Sequence, residues 1–161
     1  MSVLIVYRTK YGCTAACCRA LAERIRTETV VVDLATQRVP EVERFDVVVI
    51  GGSIYGGKIQ REVGSFCDRQ AKRLRTGRVG LFICCLYDGE HAKVQLQTAF
   101  PDWLMAHAFA TGLFGGELRY RELTLLDRLL VRSVSPVSGD VRRLRPDAVQ
   151  AMADAVNSVS R

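Results

Sequence analysis

Residues 3–25 read VLIVYRTKYGCTAACCRALAERI and join two different apolar patterns. Residues 3–7 are continuously apolar, without the alternation of a strand that has one solvated face, so they predict a central strand buried on both faces. From Thr14 onward the apolar residues recur at steps of three and four, which is typical of one face of a helix. The segment therefore predicts a strand, a short polar loop and a helix.

The loop at residues 8–13 has the composition of an anion site. The first turn of a helix leaves backbone N–H groups unpaired and carries a partial positive charge. The hydroxyls of Thr9 and Thr14 would add donors, and Gly12 would let the backbone approach a phosphate closely. The dinucleotide fingerprint G-x-G-x-x-G and the Walker A pattern are both absent. Taken alone, the loop equally fits an ordinary strand-to-helix turn capped by threonine.

The rest of the chain alternates apolar runs with helical patterns. Strands are predicted at residues 29–34, 47–50, 79–86 and 109–118. Helices are predicted at residues 61–74, at 92–106 with an interruption at Pro101, at 123–134, and from Pro146 to the C-terminus. Because right-handed crossovers bring parallel strand ends to one edge of a sheet, we expect the loops at 9–14, 53–57 and 86–91 to converge on a ligand site.

Glycines are concentrated where the third predicted strand ends, with four of them among residues 51–57. They permit tight turns and positive φ where a ligand or another part of the backbone comes close. Tyr55 lies in this loop. It would either pack on a flat heterocycle or close the edge of the core.

Bulk composition indicates one ordinary globular domain over residues 1–161, because 48% of the 161 residues are hydrophobic and 25% are charged. No apolar run is long enough to span a bilayer and no secretory signal pattern opens the chain, so we expect a cytoplasmic location. The net charge of +6 favours an acidic substrate or an anionic membrane surface. No nucleic-acid-reading motif is found, and nucleic acid is not expected as a partner.

The six cysteines are expected to form neither disulfides nor a metal site. Their adjacent pairs would lie on one helix and on one buried strand, which suits disulfides poorly. C-x-x-C is absent and only two histidines are present, so no zinc or iron–sulfur site is expected. Most cysteines are interpreted as small buried hydrophobic residues. Cys13 is the exception, because a thiol at a helix N-terminus has a lowered pKa and raised reactivity.

Residues 119–145 form a basic insertion around an amphipathic helix. Its apolar side is predicted to carry Leu126, Leu129, Leu130 and Val134, and its arginines are Arg121, Arg128, Arg132, Arg142, Arg143 and Arg145. The helix would cover the sheet edge with a solvated outer face, flank a carboxylate-bearing substrate, or make peripheral contact with an anionic membrane through Arg121, Arg128 and Arg132.

The pattern T-K-Y-G-C-T at residues 9–14, between a strand and a helix, resembles the T-x-x-G-x-T phosphate loop of flavodoxin-like proteins. The strand that ends in G-x-S-I-x-x-G at residues 51–57, and GGELRY at 115–120, are similar to the menaquinone-dependent protoporphyrinogen oxidase branch of that superfamily. The resemblance covers nearly the whole chain. It implies an α/β flavodoxin-like fold, a doubly wound five-stranded parallel sheet of order 2-1-3-4-5 with helices on both faces.

The resemblance also implies a cofactor, flavin mononucleotide (FMN), and the residues that bind it. Its phosphate would be held by the loop residues Thr9, Lys10, Tyr11, Gly12, Cys13 and Thr14. Its ring would lie between two groups, Ser53, Ile54, Tyr55 and Gly56 on one side and Leu86, Tyr87, Asp88 and Gly89 on the other. Lys10 and Tyr11 depart from the small residues that flavodoxins often have there. No catalytic residue is assigned, because the redox chemistry would belong to the flavin.

The function implied by the resemblance is that of an FMN-dependent oxidoreductase, in its sharper form the oxidation of protoporphyrinogen IX with a quinone as acceptor. Two alternatives stay open. One is a basic flavodoxin that carries electrons to a redox partner protein, and the other is a flavin-free flavodoxin-like binding module. A serine hydrolase is not expected, because G-x-S-x-G is absent and neither histidine adjoins a motif serine.

Overall fold

The computed structural model describes residues 1–134 and 139–159, and strands alternate with helices along most of this length. The strands are β1 Ser2–Arg8, β2 Glu28–Asp33, β3 Val47–Tyr55, β4 Lys58–Ile59, β5 Arg78–Cys84, β6 Ala110–Leu113, β7 Glu117–Leu118 and β8 Val141–Arg142. The helices are α1 Cys13–Ala22, α2 Arg61–Arg69, α3 Ala71–Leu74, α4 Gly89–Ala99, α5 Asp102–His107, α6 Leu125–Val134 and α7 Pro146–Val159.

The central sheet has the order β2-β1-β3-β5-β6, and each neighbouring pair is parallel. Counted along the chain, these five strands are first to fifth, so the predicted order 2-1-3-4-5 is confirmed. The two-residue strand β4 is an addition that pairs antiparallel with the end of β3. Because the main strands are parallel, their carboxyl ends share one edge of the sheet.

The core lies on both faces of this sheet. Val3 and Ile5 of β1 pack in a cluster with α1 and α7, whereas Leu4 and Val6 pack in a second cluster with α2 and α4. All four side chains are fully buried. This two-sided burial explains why the strands read as continuous apolar runs.

The glycine-rich segment after Ile50 is mostly strand and not the loop that we predicted. β3 continues to Tyr55, and Gly56 and Gly57, with φ of 55° and 76°, join it to β4 in a two-residue hairpin turn. Positive φ at both turn residues matches the twist of the two strands. A Cβ at Gly51 would overlap the ring of Phe82 on β5, so this glycine makes room for a core side chain.

Three other predicted elements have different bounds in the structure. The helix expected at 61–74 is divided into α2 and α3 at Gln70, whose φ and ψ are −100° and 10°. The expected last strand at 109–118 ends at Leu113, because the chain turns at Gly115 with a φ of 76°. β7 then pairs with β8 in a separate two-stranded sheet. The helix after β5 begins at Gly89 and so shortens the loop expected at 86–91.

Two further features concern predictions made above. The helix from Pro146 is confirmed as α7. All six cysteines are free thiols, and five are buried, as interpreted from the sequence.

Within the described ranges, no helix combines the length and the apolar character needed to cross a bilayer. Residues 135–138 of the predicted insertion, the side chain of Val134 and residues 160–161 lie outside what the structure describes.

Candidate functional site

A cavity of about 530 Å³ lies at the carboxyl edge of the sheet. Eight of the predicted site residues line it: Tyr11, Cys13, Ser53, Ile54, Tyr55, Gly56, Leu86 and Tyr87. They come from all three loops whose convergence the sequence predicts. The volume falls in the range of small-molecule and cofactor sites, about 300–1,000 Å³.

The other six predicted site residues, Thr9, Lys10, Gly12, Thr14, Asp88 and Gly89, are not among the residues that line this cavity. Asp88 and Gly89 are exposed where α4 begins. Thr14 is fully buried, and its Oγ1 lies 2.7 Å from the Oγ of Ser53. The Thr14 hydroxyl therefore ties α1 to the end of β3 instead of facing solvent.

The N-terminus of α1 is open, as an anion site requires. Gly12 is the N-cap residue, with a φ of 90°, and no side chain caps the helix there. No atom lies within 4 Å of the position that a Cβ on Gly12 would occupy. The Gly12 N–H donates to Thr9 Oγ1 at 3.0 Å, which closes the loop and leaves the Thr9 hydroxyl proton free to donate outward. The N–H groups in the first turn of α1 have no partner within the helix.

Lys10 is directed away from this helix end. Its Nζ lies 2.7 Å from Asp127 Oδ2 on α6 and 5.0 Å from the ring centroid of Tyr55. The hydroxyl of Tyr11 donates to the same carboxylate oxygen. The charge of Lys10 is therefore compensated within the protein, and the sequence offered no sign of its partner 117 positions away.

Asp127 is a buried acid, and its carboxylate is held by several donors. Burial by itself raises the pKa, but hydrogen bonds from Lys10, Tyr11 and Thr124 together with the Lys10 charge outweigh it, so the Asp127 pKa lies below its usual range. An ionised Asp127 consequently fixes α6 against the loop at residues 8–13.

Tyr11 and Tyr55 form an aromatic wall of the cavity. Their ring centroids are 5.9 Å apart and the planes are tilted by 49°. Tyr55 is half-buried, and burial foremost raises the pKa of its phenol, which stays neutral. Its ring lines the cavity beside Tyr11 and Lys10. Packing of this ring on a flat heterocycle stays a prediction.

The opposite wall is built by the end of β5 and the insertion. Arg143 Nη1 donates to the carbonyl of Leu86 at 3.1 Å, and the Cys85 N–H donates to the carbonyl of Gly115 at 3.1 Å. These bonds fix the loop that carries Leu86 and Tyr87. Gly116 is required here because a Cβ would come within 2.7 Å of the Cys85 carbonyl oxygen.

The insertion supplies cavity-lining residues that were not predicted as site residues from the sequence: Asp127, Leu130, Val131, Val141 and Arg143. Leu118 of β7, just before the insertion, also lines the cavity. One signal could have found the buried side of α6 and of the residues just before it. Leu123, Asp127 and Val131 recur every four residues, and all three are buried. The sequence prediction instead placed Leu126, Leu129, Leu130 and Val134 on the apolar side of this helix, and the three leucines are exposed in the structure.

Comparisons with known proteins agree with this architecture. A family model described as "Flavodoxin domain" matches residues 4–143. A search of curated protein sequences gives no match.

Several solved structures share the fold. The two-electron reduced flavodoxin of Megasphaera elsdenii matches with a TM-score of 0.62 and 17% identity over 97% of this chain and 98% of that one. A flavodoxin from the domain Archaea matches with a TM-score of 0.58 and 14% sequence identity over 100% of both chains. Rubredoxin oxygen:oxidoreductase from the anaerobe Desulfovibrio gigas matches with a TM-score of 0.55 and 16% sequence identity over 96% of this chain.

The present chain spans 36% of the length of that oxidoreductase, so its whole activity does not carry over. At these identities the structures show a common fold and no more. The protoporphyrinogen oxidase branch, suggested by the glycine motifs, is supported neither by the family model nor by these structures. The family model covers most of the chain and the sheet order agrees with it, so this protein belongs to the flavodoxin domain family.

Proposed function

We propose that this protein binds FMN at the strand-end cavity and carries electrons to a redox partner protein. The observation that carries the proposal is that three loops line one cavity of about 530 Å³ beside the open N-terminus of α1. A flat ring and a phosphate on one ligand would match these two neighbouring features.

The residues present fit FMN. The phosphate would be bound by the first-turn N–H groups of α1 and the Thr9 hydroxyl, and the open space at Gly12 leaves room for it. The ring would lie between the wall that carries Tyr55 and the loop that carries Leu86 and Tyr87. Bound FMN supplies the one- and two-electron chemistry, while the protein binds the ring, orients it and limits its contact with water.

Surface charge supports an acidic partner. The net charge of +6 would attract a protein of opposite sign and raise the rate of encounter at low salt. The flavodoxins among the structural relatives make electron transfer the simplest function for this fold.

FMN titration of the apo-protein tests the cofactor. We expect saturable binding, weakened at least tenfold by Gly12→Ala, because alanine is strained at a φ of 90° and adds a side chain where the phosphate would approach. Gly64→Ala is the matched control, since Gly64 lies in α2, also has open space and has no positive φ. If the wild type does not bind FMN, the proposal fails and a flavin-free binding module is the better description.

A second candidate function is the oxidation of protoporphyrinogen IX with a quinone as acceptor. It is favoured by the apolar side of the cavity that Leu130, Val131 and Val141 build beyond the predicted ring site, with Arg143 beside it. A hydrophobic substrate with carboxylates would match this combination. Anaerobic mixing of FMN-loaded protein with protoporphyrinogen should then bleach the flavin, whereas an electron carrier would stay oxidised.

Charge reversal of the insertion tests how such a substrate would be attracted. Arg132 is exposed, whereas Arg128 lies over the Tyr120 ring at 5.4 Å. If the arginines attract the propionates, reversal at Arg128 and Arg132 raises the apparent KM, and reversal at Arg38, an exposed arginine outside the insertion, does not. If the Arg128/Arg132 variant and the Arg38 variant had the same apparent KM, the arginines of the insertion would have no part in substrate binding.

We also propose that the protein makes peripheral contact with a membrane through α6. Leu125, Leu126, Leu129 and Leu130 are 77%, 74%, 63% and 50% exposed, and Arg121 and Arg132 lie near them. Exposed apolar side chains beside cations are the features of a helix that lies on an anionic bilayer.

Sedimentation with phosphatidylserine vesicles at low salt tests this contact. We expect the wild type to bind and the double variant Leu125→Gln, Leu126→Gln to lose binding. The control Val94→Gln removes an apolar side chain that is 54% exposed on α4 and should bind like the wild type. No wild-type binding would exclude the membrane contact while leaving FMN binding intact.

A further inference from the structure

Three cysteine thiols meet where α1 begins and β5 ends. The Sγ atoms of Cys13, Cys17 and Cys84 all lie within 4.8 Å of one another. Cys13 and Cys17 are one helical turn apart on α1, and Cys84 is the last residue of β5. Cys13 and Cys84 also line the cavity, so an ion can reach the cluster from it.

The surroundings of the cluster are largely apolar. Cys17 and Cys84 are buried in the core beside the stacked rings of Phe82 and Phe114, whose centroids are 4.3 Å apart. Cys13 is only partly buried and lies on the cavity side of the cluster. The three sulfurs therefore have apolar side chains on the inner side and an open approach on the other.

We propose that Cys13, Cys17 and Cys84 form a three-sulfur site for a soft metal ion of the Cu(I) class. Thiolate ligands select soft ions, and a trigonal set of three sulfurs satisfies Cu(I). Among the described residues no histidine or carboxylate joins the group. Zn(II) prefers four ligands, and iron–sulfur clusters use four cysteines.

Binding changes no oxidation state. Cu(I) enters as a monovalent cation, Cu–S bonds replace S–H bonds, and the displaced protons leave to solvent through the cavity. The positive end of the α1 dipole offsets part of the negative charge that the thiolates bring, because Cys13 is the first residue of α1. This inference does not depend on FMN binding.

The cysteine spacing gave no familiar sign of a metal site, because C-x-x-C is absent and only two histidines are present. Cys13 and Cys17 are spaced C-x-x-x-C, which places both on one face of a helix. Cys84 joins them only because β5 lies beside β3 in the sheet, under α1.

Anaerobic titration with Cu(I) against a chromophoric Cu(I) chelator tests the proposal. We expect one equivalent to be taken from the chelator, with release of protons, and each of Cys13→Ser, Cys17→Ser and Cys84→Ser to weaken binding at least tenfold. Cys13→Ser is the principal variant, because Cys13 is only partly buried and its replacement disturbs the core least. Cys67→Ser is the matched control, since Cys67 is a buried thiol in the cluster on the other face of the sheet.

Labelling of Cys13 gives a second readout on the unmodified chain. Bound Cu(I) should slow alkylation of Cys13 by iodoacetamide, followed residue by residue with mass spectrometry. The proposal is overturned if no equivalent binds, if Cys67→Ser weakens binding as much as the cluster variants, or if Zn(II) displaces Cu(I) at equal concentration.

Discussion

Helices α6 and α7 are both amphipathic, yet the structure uses their apolar sides in opposite ways. Val149, Met152, Ala153 and Val156 of α7 are buried against the sheet. The leucines at 125, 126, 129 and 130 of α6 are at least half exposed, while its buried side chains include Asp127. Helical periodicity therefore predicts a helix and its apolar stripe, but it does not say whether a surface is available to cover that stripe.

The two helices are also attached by different forces. α7 is held by apolar burial, which depends on area. α6 is held in large part by the ionised Asp127 with Lys10 and Tyr11, together with the small cluster around Val131. Changes that remove apolar area should therefore act on α7, and changes that remove charge should act on α6.

The largest effect is expected at Met152 of α7. This side chain is buried, and its sulfur would be 3.1 Å from a Cβ at Gly80, so it fills the space that the glycine leaves on β5. Met152→Ala should lower the free energy of unfolding by about 2–5 kcal/mol, measured by urea denaturation. If Met152→Ala lowered the free energy of unfolding by less than about 0.5 kcal/mol, as substitutions at exposed sites do, α7 would not be packed against the sheet as described.

The next effect is expected at Asp127 of α6. Asp127→Ala removes charge-assisted hydrogen bonds worth about 1.5–3 kcal/mol, and the lower end applies because Lys10 is 41% exposed and water can solvate it. Amide hydrogen exchange of α6 should accelerate in the same variant. Glu90→Ala is the matched control, because Glu90 also lies 2.7 Å from a lysine nitrogen but on the surface, and it should have a much smaller effect.

The contribution of Asp127 should depend on pH in a defined direction. Its folded-state pKa lies below the unfolded value of about 3.9, so its stabilisation is present above that value and is lost as the pH falls through the folded pKa. The stability difference between wild type and Asp127→Asn should therefore be constant from pH 7 to about 5 and shrink below about 4. A difference that is the same at every pH would show that the carboxylate charge does not hold α6.

The smallest effect is expected at the exposed leucines. Leu126 is 74% exposed, so Leu126→Gln should change the free energy of unfolding by no more than about 0.5 kcal/mol. Thermal denaturation of this variant beside Met152→Ala gives the contrast directly. A cost of several kcal/mol would mean that the leucine face is covered in solution.

Much of the fold was predictable because it depends on local patterns. Residues 3–6, 47–50 and 79–85 of the predicted strands are buried on both faces, and this is why these runs lack polar alternation. The expected convergence of three loops also held, since the carboxyl ends of parallel strands must meet at one edge. Boundaries failed where glycine acts through tertiary contacts, as at Gly51 under Phe82 and at Gly115 against the Arg143 carbonyl.

The candidate site was predictable only in part, for the same reason. The loop residues that line the cavity carry local signals, such as a glycine before a helix or an aromatic residue near a strand end. Lys10 was expected to face a phosphate, but its partner is an acid on α6. A lone cation in a loop does not reveal a counterion that the fold brings from a distant segment.

By itself, the sequence determined the five strands of the central sheet, most of the helices and the edge of the sheet at which the cavity lies, because apolar periodicity and glycine positions act over a few residues. Only the tertiary structure decided that Lys10 pairs with Asp127, that the sulfurs of three cysteines from two elements lie within 4.8 Å of one another, and that the leucines of α6 are left exposed. Each of these features depends on how segments far apart in the chain pack together. No short segment of sequence contains that information.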